Sequence, residues 1–139
     1  MQVNIFSDSD RRIPRKKIRE LISLIEEEEE PPDSTINIIF VRDRKIALLN
    51  RNYRGKGAAT DVLSFNIDNE PGESNIFGEI YISTDTAARN AAILKIGFHK
   101  EILHLCCHGL LHLLGYDHEK DDDAEIMEAR ERQYLGGME

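Results

Sequence analysis

Cysteine is scarce in this 139-residue sequence. There are two, Cys106 and Cys107, and because they are adjacent they cannot close a stabilising loop. Inside a helical pattern they read as small buried apolar residues in a reducing compartment. No apolar run reaches 18 residues, so no membrane span is expected. The opening residues lack a charged segment followed by an apolar one, so no secretory signal is expected either. No Asn-x-Ser/Thr sequon occurs, and a cytoplasmic protein is the expectation. Repeats are absent, and the one biased segment is the glutamate run Glu26–Glu30, read as a solvated helix end. Positive charge is also short: 18 Lys and Arg against 26 Asp and Glu leave a formal charge of −8. As a total, that argues against phosphate binding, which rests on neutralisation by Lys and Arg.

What is present describes a globular chain. Hydrophobic residues make up 40% and charged residues 32%, and a chain of this size buries roughly two-thirds of its unfolded surface. One domain over residues 1–139 is expected. Val3–Phe6, Thr35–Val41, Val62–Ile67 and Phe77–Ile82 read as strands, the second rich in β-branched residues. The last two are expected to pair as a hairpin across the turn Asp68–Ser74. Pro14 opens a helix in which Ile18, Leu21, Ile22 and Ile25 follow at helical spacing, and Pro31-Pro32 stops it. Basic residues begin that helix and glutamates end it, against its dipole. Further helices are expected over Asp43–Tyr53, Thr84–Leu94 with Ser83 as N-cap, and His99–Leu114. A last helix, Ala124–Leu135, would start from a capping box of Asp122 and Glu125. The order βαβαββααα is an α+β fold, a mixed four-stranded sheet packed with about five helices.

All five histidines fall within residues 99–118. His108 and His112 are four apart on a helix, so their side chains share one face about 6 Å apart along the axis. Gly115 can take the left-handed conformation that stops the helix, and His118 can then swing back toward the same ion. Three imidazoles leave the fourth tetrahedral position of a Zn2+ ion open, as catalytic zinc sites do. Other divalent ions fit the same donors. His104 lies one turn before His108 but about 12 Å of rise from His112, and reads as a supporting residue. His99 reads as structural. In the common zinc-protease motif His-Glu-x-x-His a general-base glutamate follows the first histidine, and here that position is Gly109. Peptide hydrolysis is therefore disfavoured. Glu101, two turns before His108, reads as structural or as an orienter of a histidine.

The stretch His108-Gly-Leu-Leu-His-Leu-Leu-Gly-Tyr-Asp-His118 resembles the signature of the YbeY family of bacterial metallo-endoribonucleases. Leu49–Lys56 (LNRNYRGK), Thr60–Phe65 (TDVLSF) and Gly78–Ile82 (GEIYI) resemble its other motifs. The resemblance implies a zincin-like fold, one zinc on His108, His112 and His118, and cleavage of single-stranded RNA. It further implies a role in 16S rRNA 3′-end maturation and quality control of the small ribosomal subunit, and it places the family's catalytic arginine on Arg54. Four positions depart from the family: Lys56-Gly-Ala-Ala-Thr-Asp61 lacks an acid and a proline, Asn66 stands where a proline is common, and Glu79 where an aspartate is usual. Asp61, Glu79, Glu101 and Asp117 are the candidate general bases. A metal-stabilised assembly factor that binds RNA without cutting it is the alternative.

Charge distribution revises the argument from the total. Residues 117–139 hold nine acids against three bases, whereas residues 42–56 hold six bases against Asp43 alone. If that basic segment lines the metal cleft, the local field governs the encounter with phosphate. Arg51 and Lys56 are accordingly the candidate RNA-binding residues.

Overall fold

A computed structural model of the chain describes residues 1–55, 57–67 and 75–138. The elements are β1 (Gln2–Ser7), α1 (Arg15–Glu29), β2 (Thr35–Val41), α2 (Asp43–Arg54), β3 (Val62–Asn66), β4 (Ile76–Ser83), α3 (Thr84–Leu94), α4 (Phe98–Leu113) and α5 (Asp121–Gly136). The expected order is found. The strands form one mixed sheet in the order β1-β2-β4-β3, with β1, β2 and β4 parallel and β3 antiparallel to β4 on the edge. The turn expected at 68–74 lies outside the described residues.

Strand alternation divides the sheet into two faces. Ile36, Ile38, Phe40, Ile80 and Ile82 face α1 and α4 and are fully buried there with Ile18, Leu21 and Ile25 of α1. Each such side chain contributes roughly 1.5–3 kcal/mol relative to exposure. The other face carries a smaller cluster of Val41, Ile46 and Leu63, which α2 covers with Leu49. Helix α4 runs through the centre, touching α1, α3, α5, β3 and β4. It is apolar nearly all round, as a core helix must be, except for the stripe Glu101, His104, His108 and His112. Cys106 and Cys107 are buried on its other sides. Burial pushes both thiols up, Cys107 to about 12, so these cysteines are packing groups.

Three local expectations are revised. Helix α5 begins at Asp121, with Lys120 in the cap position and no side-chain cap. The Asp122–Glu125 box therefore does not form; three successive aspartates instead meet the positive end of the dipole. The glutamate run is only partly solvated. Glu29 accepts hydrogen bonds from Tyr116 (2.9 Å) and from Tyr134, tying the end of α1 to the turn after α4 and to α5. Glu26 pairs with the N-terminal ammonium at 2.5 Å. At the other end of α1, Arg15 and Arg19 donate to the Ile5 and Val3 carbonyls, so two of its basic residues close the free edge of β1.

Helices α2 and α3 are locked at their starts. Asp85 accepts from the Asp43 backbone N–H at 3.1 Å. In return Asp43 accepts from Ser83 Oγ, Thr86 Oγ1 and Arg89 Nη2, each at 2.6 Å. Burial opposes ionisation of Asp43, but these donors outweigh it and hold its carboxyl below the usual value. Ser83 also accepts from Thr86 N–H, as its N-cap role requires. This lock fixes the direction in which α2 delivers Arg54.

Candidate functional site

The site lies between α4 and the edge strand β3. Gly109 sets how closely they approach: a Cβ there would stand 2.7 Å from Ile80 Cγ2 and 3.1 Å from Ser64 Oγ. The glycine lets α4 sink onto the sheet, and Ser64 Oγ donates to the Gly109 carbonyl at 3.1 Å. Asn66 donates to the Leu113 carbonyl at 3.1 Å, one turn on. The position where a zinc protease carries its glutamate is therefore filled by sheet contacts.

Helix α4 ends as the glycine demands. Gly115 has φ +105, its N–H bonds the His112 carbonyl, and the Tyr116 N–H reaches back to the Leu111 carbonyl, both at 3.0 Å. That pair of bonds is a Schellman termination. The chain then turns through Asp117, whose carboxylate accepts from the His118 and Glu119 N–H groups at 2.7 and 3.1 Å. His118 is thereby returned to the helix face. Its Nδ1 lies 2.9 Å from His112 Nε2, and one nitrogen from each of His108, His112 and His118 falls within 4.8 Å of the others. Among the described residues this is the one group of three that could hold a metal ion.

The donor set suits such an ion. Glu131 of α5 lies 2.7 Å from His108 Nδ1; a carboxylate only accepts, so Nδ1 carries the proton and Nε2 keeps its lone pair for the site. His104 donates from Nδ1 to Glu101 (3.0 Å) and from Nε2 to the other oxygen of Glu131 (3.2 Å). With both nitrogens donating, His104 is an imidazolium. The hydrogen bonds to Glu101 and then Glu131 raise its pKa to about 10. Burial raises the Glu131 pKa, but the bonds from His104 and His108 outweigh it and hold it at about 2. His112 is shifted down, by burial first and then by the neighbouring imidazoles and Arg54. The shift favours the neutral imidazole, the form that binds a metal.

A cleft of about 300 Å³ opens over the histidines, lined also by Arg54, Thr60, Val62, Ser64, Asn66 and Leu113. Arg54 ends α2, where Gly55 caps it at φ +70. Buried Asn50 donates to the Ala58 carbonyl at 2.9 Å, so the loop is anchored although the family's acid and proline are missing from it.

A family model described as Endoribonuclease YbeY matches residues 4–139. The chain belongs to the YbeY family. The Endoribonuclease YbeY of Anaeromyxobacter sp. (strain Fw109-5) is 50% identical over 71% of this chain and 52% of its own length. That of Anaeromyxobacter dehalogenans (strain 2CP-C) is 46% identical over similar shares. This chain thus spans about half the length of these two relatives. The Endoribonuclease YbeY of Geobacillus thermodenitrificans is 37% identical over 94% of this chain and 92% of its own. A solution structure of a Thermotoga maritima protein superposes with TM-score 0.67 at 31% identity, over 99% of this chain and 89% of that one.

Within this YbeY fold the remaining sequence candidates scatter. Arg51 lies outside the cleft, in a separate hollow on the outer side of α2, and Lys56 lies outside the described residues. None of the four candidate bases lines the cleft. Glu79 projects from the opposite sheet face, where it accepts from Asn37 (3.2 Å) and Tyr81 (3.3 Å). Asp61 accepts from Asn90 at 3.3 Å, Glu101 is buried against His104, and Asp117 is held by its own turn. His99 contacts the Arg12 carbonyl at 3.2 Å, a structural bond. The residue that sequence reasoning missed is Glu131. It stands 23 positions from His108, and no spacing rule links it to the motif. No helix among the described residues is long and apolar enough to cross a membrane.

Proposed function

We propose that this chain is a zinc-dependent endoribonuclease that cuts single-stranded RNA in the cytoplasm, acting in maturation of the 16S rRNA 3′ end and in quality control of the small ribosomal subunit. The observation that carries this reading is the convergence of three imidazoles and one arginine on a single open cleft. Family membership supports the same activity.

His108, His112 and His118 would hold the zinc, which when bound would supply Lewis acidity for phosphodiester cleavage; other divalent ions would compete for the same donors. The chain's own groups do the rest. Glu131 keeps the His108 proton on Nδ1 and so presents Nε2 to the cleft. Arg54 meets the phosphate with its planar fork of donors and stabilises the charge that develops on the oxygens as the bond breaks. Ser64 and Asn66 spend side-chain hydrogens on the α4 backbone and hold the floor rigid. Arg51 contributes a phosphate contact beyond the cleft, and Lys56 is the other RNA-binding candidate. The acidic total makes binding to naked RNA weak and salt-sensitive, so a larger partner such as the ribosomal subunit supplies the specificity.

The test is to incubate the zinc-loaded chain with single-stranded RNA and with casein, adding chelator and His108→Ala controls. Cleavage of RNA alone, abolished by both controls, is expected. RNA that is bound but uncut would instead mark a non-catalytic assembly factor, and cut casein a peptidase. RNA cleavage surviving the His108 substitution would overturn the site.

A further inference from the structure

Tyr53 is 68% exposed although it is an aromatic residue, and it immediately precedes Arg54. Its ring does not hang free. It leans on Phe65 with centroids 5.2 Å apart and a 56° tilt, and Phe65 in turn meets Tyr81 edge-on at 5.9 Å. One side of the phenol is thus pinned, and the other faces solvent. Phe65 sits between Ser64 and Asn66, which point to the other side of β3 and line the histidine cleft. Tyr53 and the cleft therefore flank the same edge strand, with Arg54 reaching from one to the other.

The outer face of α2, about half a helical turn away from Tyr53, is also basic. Arg44, Leu48 and Arg51 share one helical face at i, i+4 and i+7 and line a hollow of about 340 Å³. In a chain of charge −8, none of Arg44, Arg51 and Arg54 has a carboxylate within ion-pair reach among the described residues. Among the described residues the arginine pairs with carboxylates are Arg42–Asp85 and Arg89–Asp43. An exposed aromatic beside unpaired cations is the combination that single-strand binders use, stacking on bases and charge on the backbone.

We propose that Tyr53 is a base-stacking platform for single-stranded RNA, taking the base that flanks the phosphodiester held over the histidines, while the neighbouring Arg54 takes that phosphate. The inference rests on the endoribonuclease reading and gives it a source of strand selectivity. Bases inside a duplex are already stacked on both sides and offer no free face; an unpaired base does. Because the ring is already held by Phe65, little side-chain freedom is lost on stacking.

The sequence contains no tryptophan, so Tyr53→Trp places a single reporter at the platform. The zinc-loaded variant is mixed with a single-stranded RNA oligonucleotide and, separately, with its duplex, and fluorescence is followed in stopped flow before cleavage. Saturable quenching by the single strand and not by the duplex is expected. In steady state, Tyr53→Ala raises KM for the single strand roughly 5- to 150-fold, the range of one lost base stack. Its kcat and zinc content stay near wild type, and Tyr53→Phe restores KM. Equal quenching by the duplex, no quenching while RNA is cut, or an unchanged KM in Tyr53→Ala overturns the platform and leaves the endoribonuclease reading standing. A wild-type chain that neither binds nor cuts the single strand overturns both.

Discussion

Glu131 accepts the Nδ1 proton of His108 across 2.7 Å, from a helix that begins thirteen residues after the histidine. The contact fixes the tautomer, and with it which nitrogen can bind an ion. Glu131→Ala removes the acceptor from His108 and from His104 together. Zinc affinity is expected to fall about 10- to 100-fold, the usual effect of losing such a partner, with Glu131→Gln in between because an amide oxygen still accepts. Competition against a fluorescent chelator measures it; wild-type affinity in Glu131→Ala would mean that the carboxylate does not orient the ligand.

The same cluster makes stability depend on pH in a stated window. His104 is raised from 6.5 to about 10, so its contribution is complete below about pH 6.5 and is lost as pH rises toward 10. Glu131 is lowered from 4.5 to about 2, so its contribution is complete above about pH 4.5 and is lost as pH falls toward 2. Both are in place between about pH 4.5 and 6.5. Urea unfolding of the metal-free chain is expected to show a stability loss above pH 6.5 that His104→Gln flattens. The His104 side chain is 41% exposed, and solvent screening makes the slope shallower than the shift alone implies. An alkaline limb unchanged in His104→Gln would show that this imidazolium does not stabilise the fold.

Much of this arrangement is legible in the sequence, and the limit is physical. β-Branched runs and the spacing of Ile18, Leu21, Ile22 and Ile25 locate the elements, because burial on one face imposes a period. The histidine triad is legible because i, i+4 geometry and a helix-ending glycine are local properties. Glu131, the Asp43–Asp85 lock and the Glu29–tyrosine clamp are not, because each joins elements whose packing angle no local period encodes. Glu79 illustrates the same limit: alternation shows that it and Ile80 point to opposite faces of β4, but not which face α4 covers. Charge along the chain groups Arg51 with Arg54, but it does not encode that Arg51 borders a separate hollow while Arg54, at the helix end, reaches the histidine cleft.

Gly109 offers a test of how tightly the site is built. Alanine gains about 1 kcal/mol of helix propensity over glycine, but its Cβ would lie 2.7 Å from Ile80, a fully buried side chain with no room to retreat. Overpacking of this kind costs about 1–3 kcal/mol. Gly109→Ala is therefore expected to be net destabilising by up to about 2 kcal/mol in chemical denaturation, and to lower zinc affinity by tilting His108 and His112. A stabilised variant would show that α4 does not rest on β4 as closely as described.

Arg54 separates binding of the ion from chemistry on the phosphate. It is exposed at the end of α2, where its charge suits the helix dipole, so Arg54→Ala costs only about 0.3–1 kcal/mol of stability. It is not one of the three residues gathered for the ion, and zinc stoichiometry is expected to stay at wild type. If the guanidinium stabilises charge developing on the phosphodiester, RNA cleavage falls about 10²–10³-fold, the effect of removing one such donor. Arg54→Lys then recovers only part of the loss, because an ammonium keeps the charge without the planar fork. In the metal-free chain, Arg54→Ala also moves the His112 pKa upward, since the guanidinium is one of the charges that depress it; NMR titration of the imidazole reads this independently of turnover. A His112 shift with undiminished cleavage would place Arg54 beside the histidines but outside the reaction.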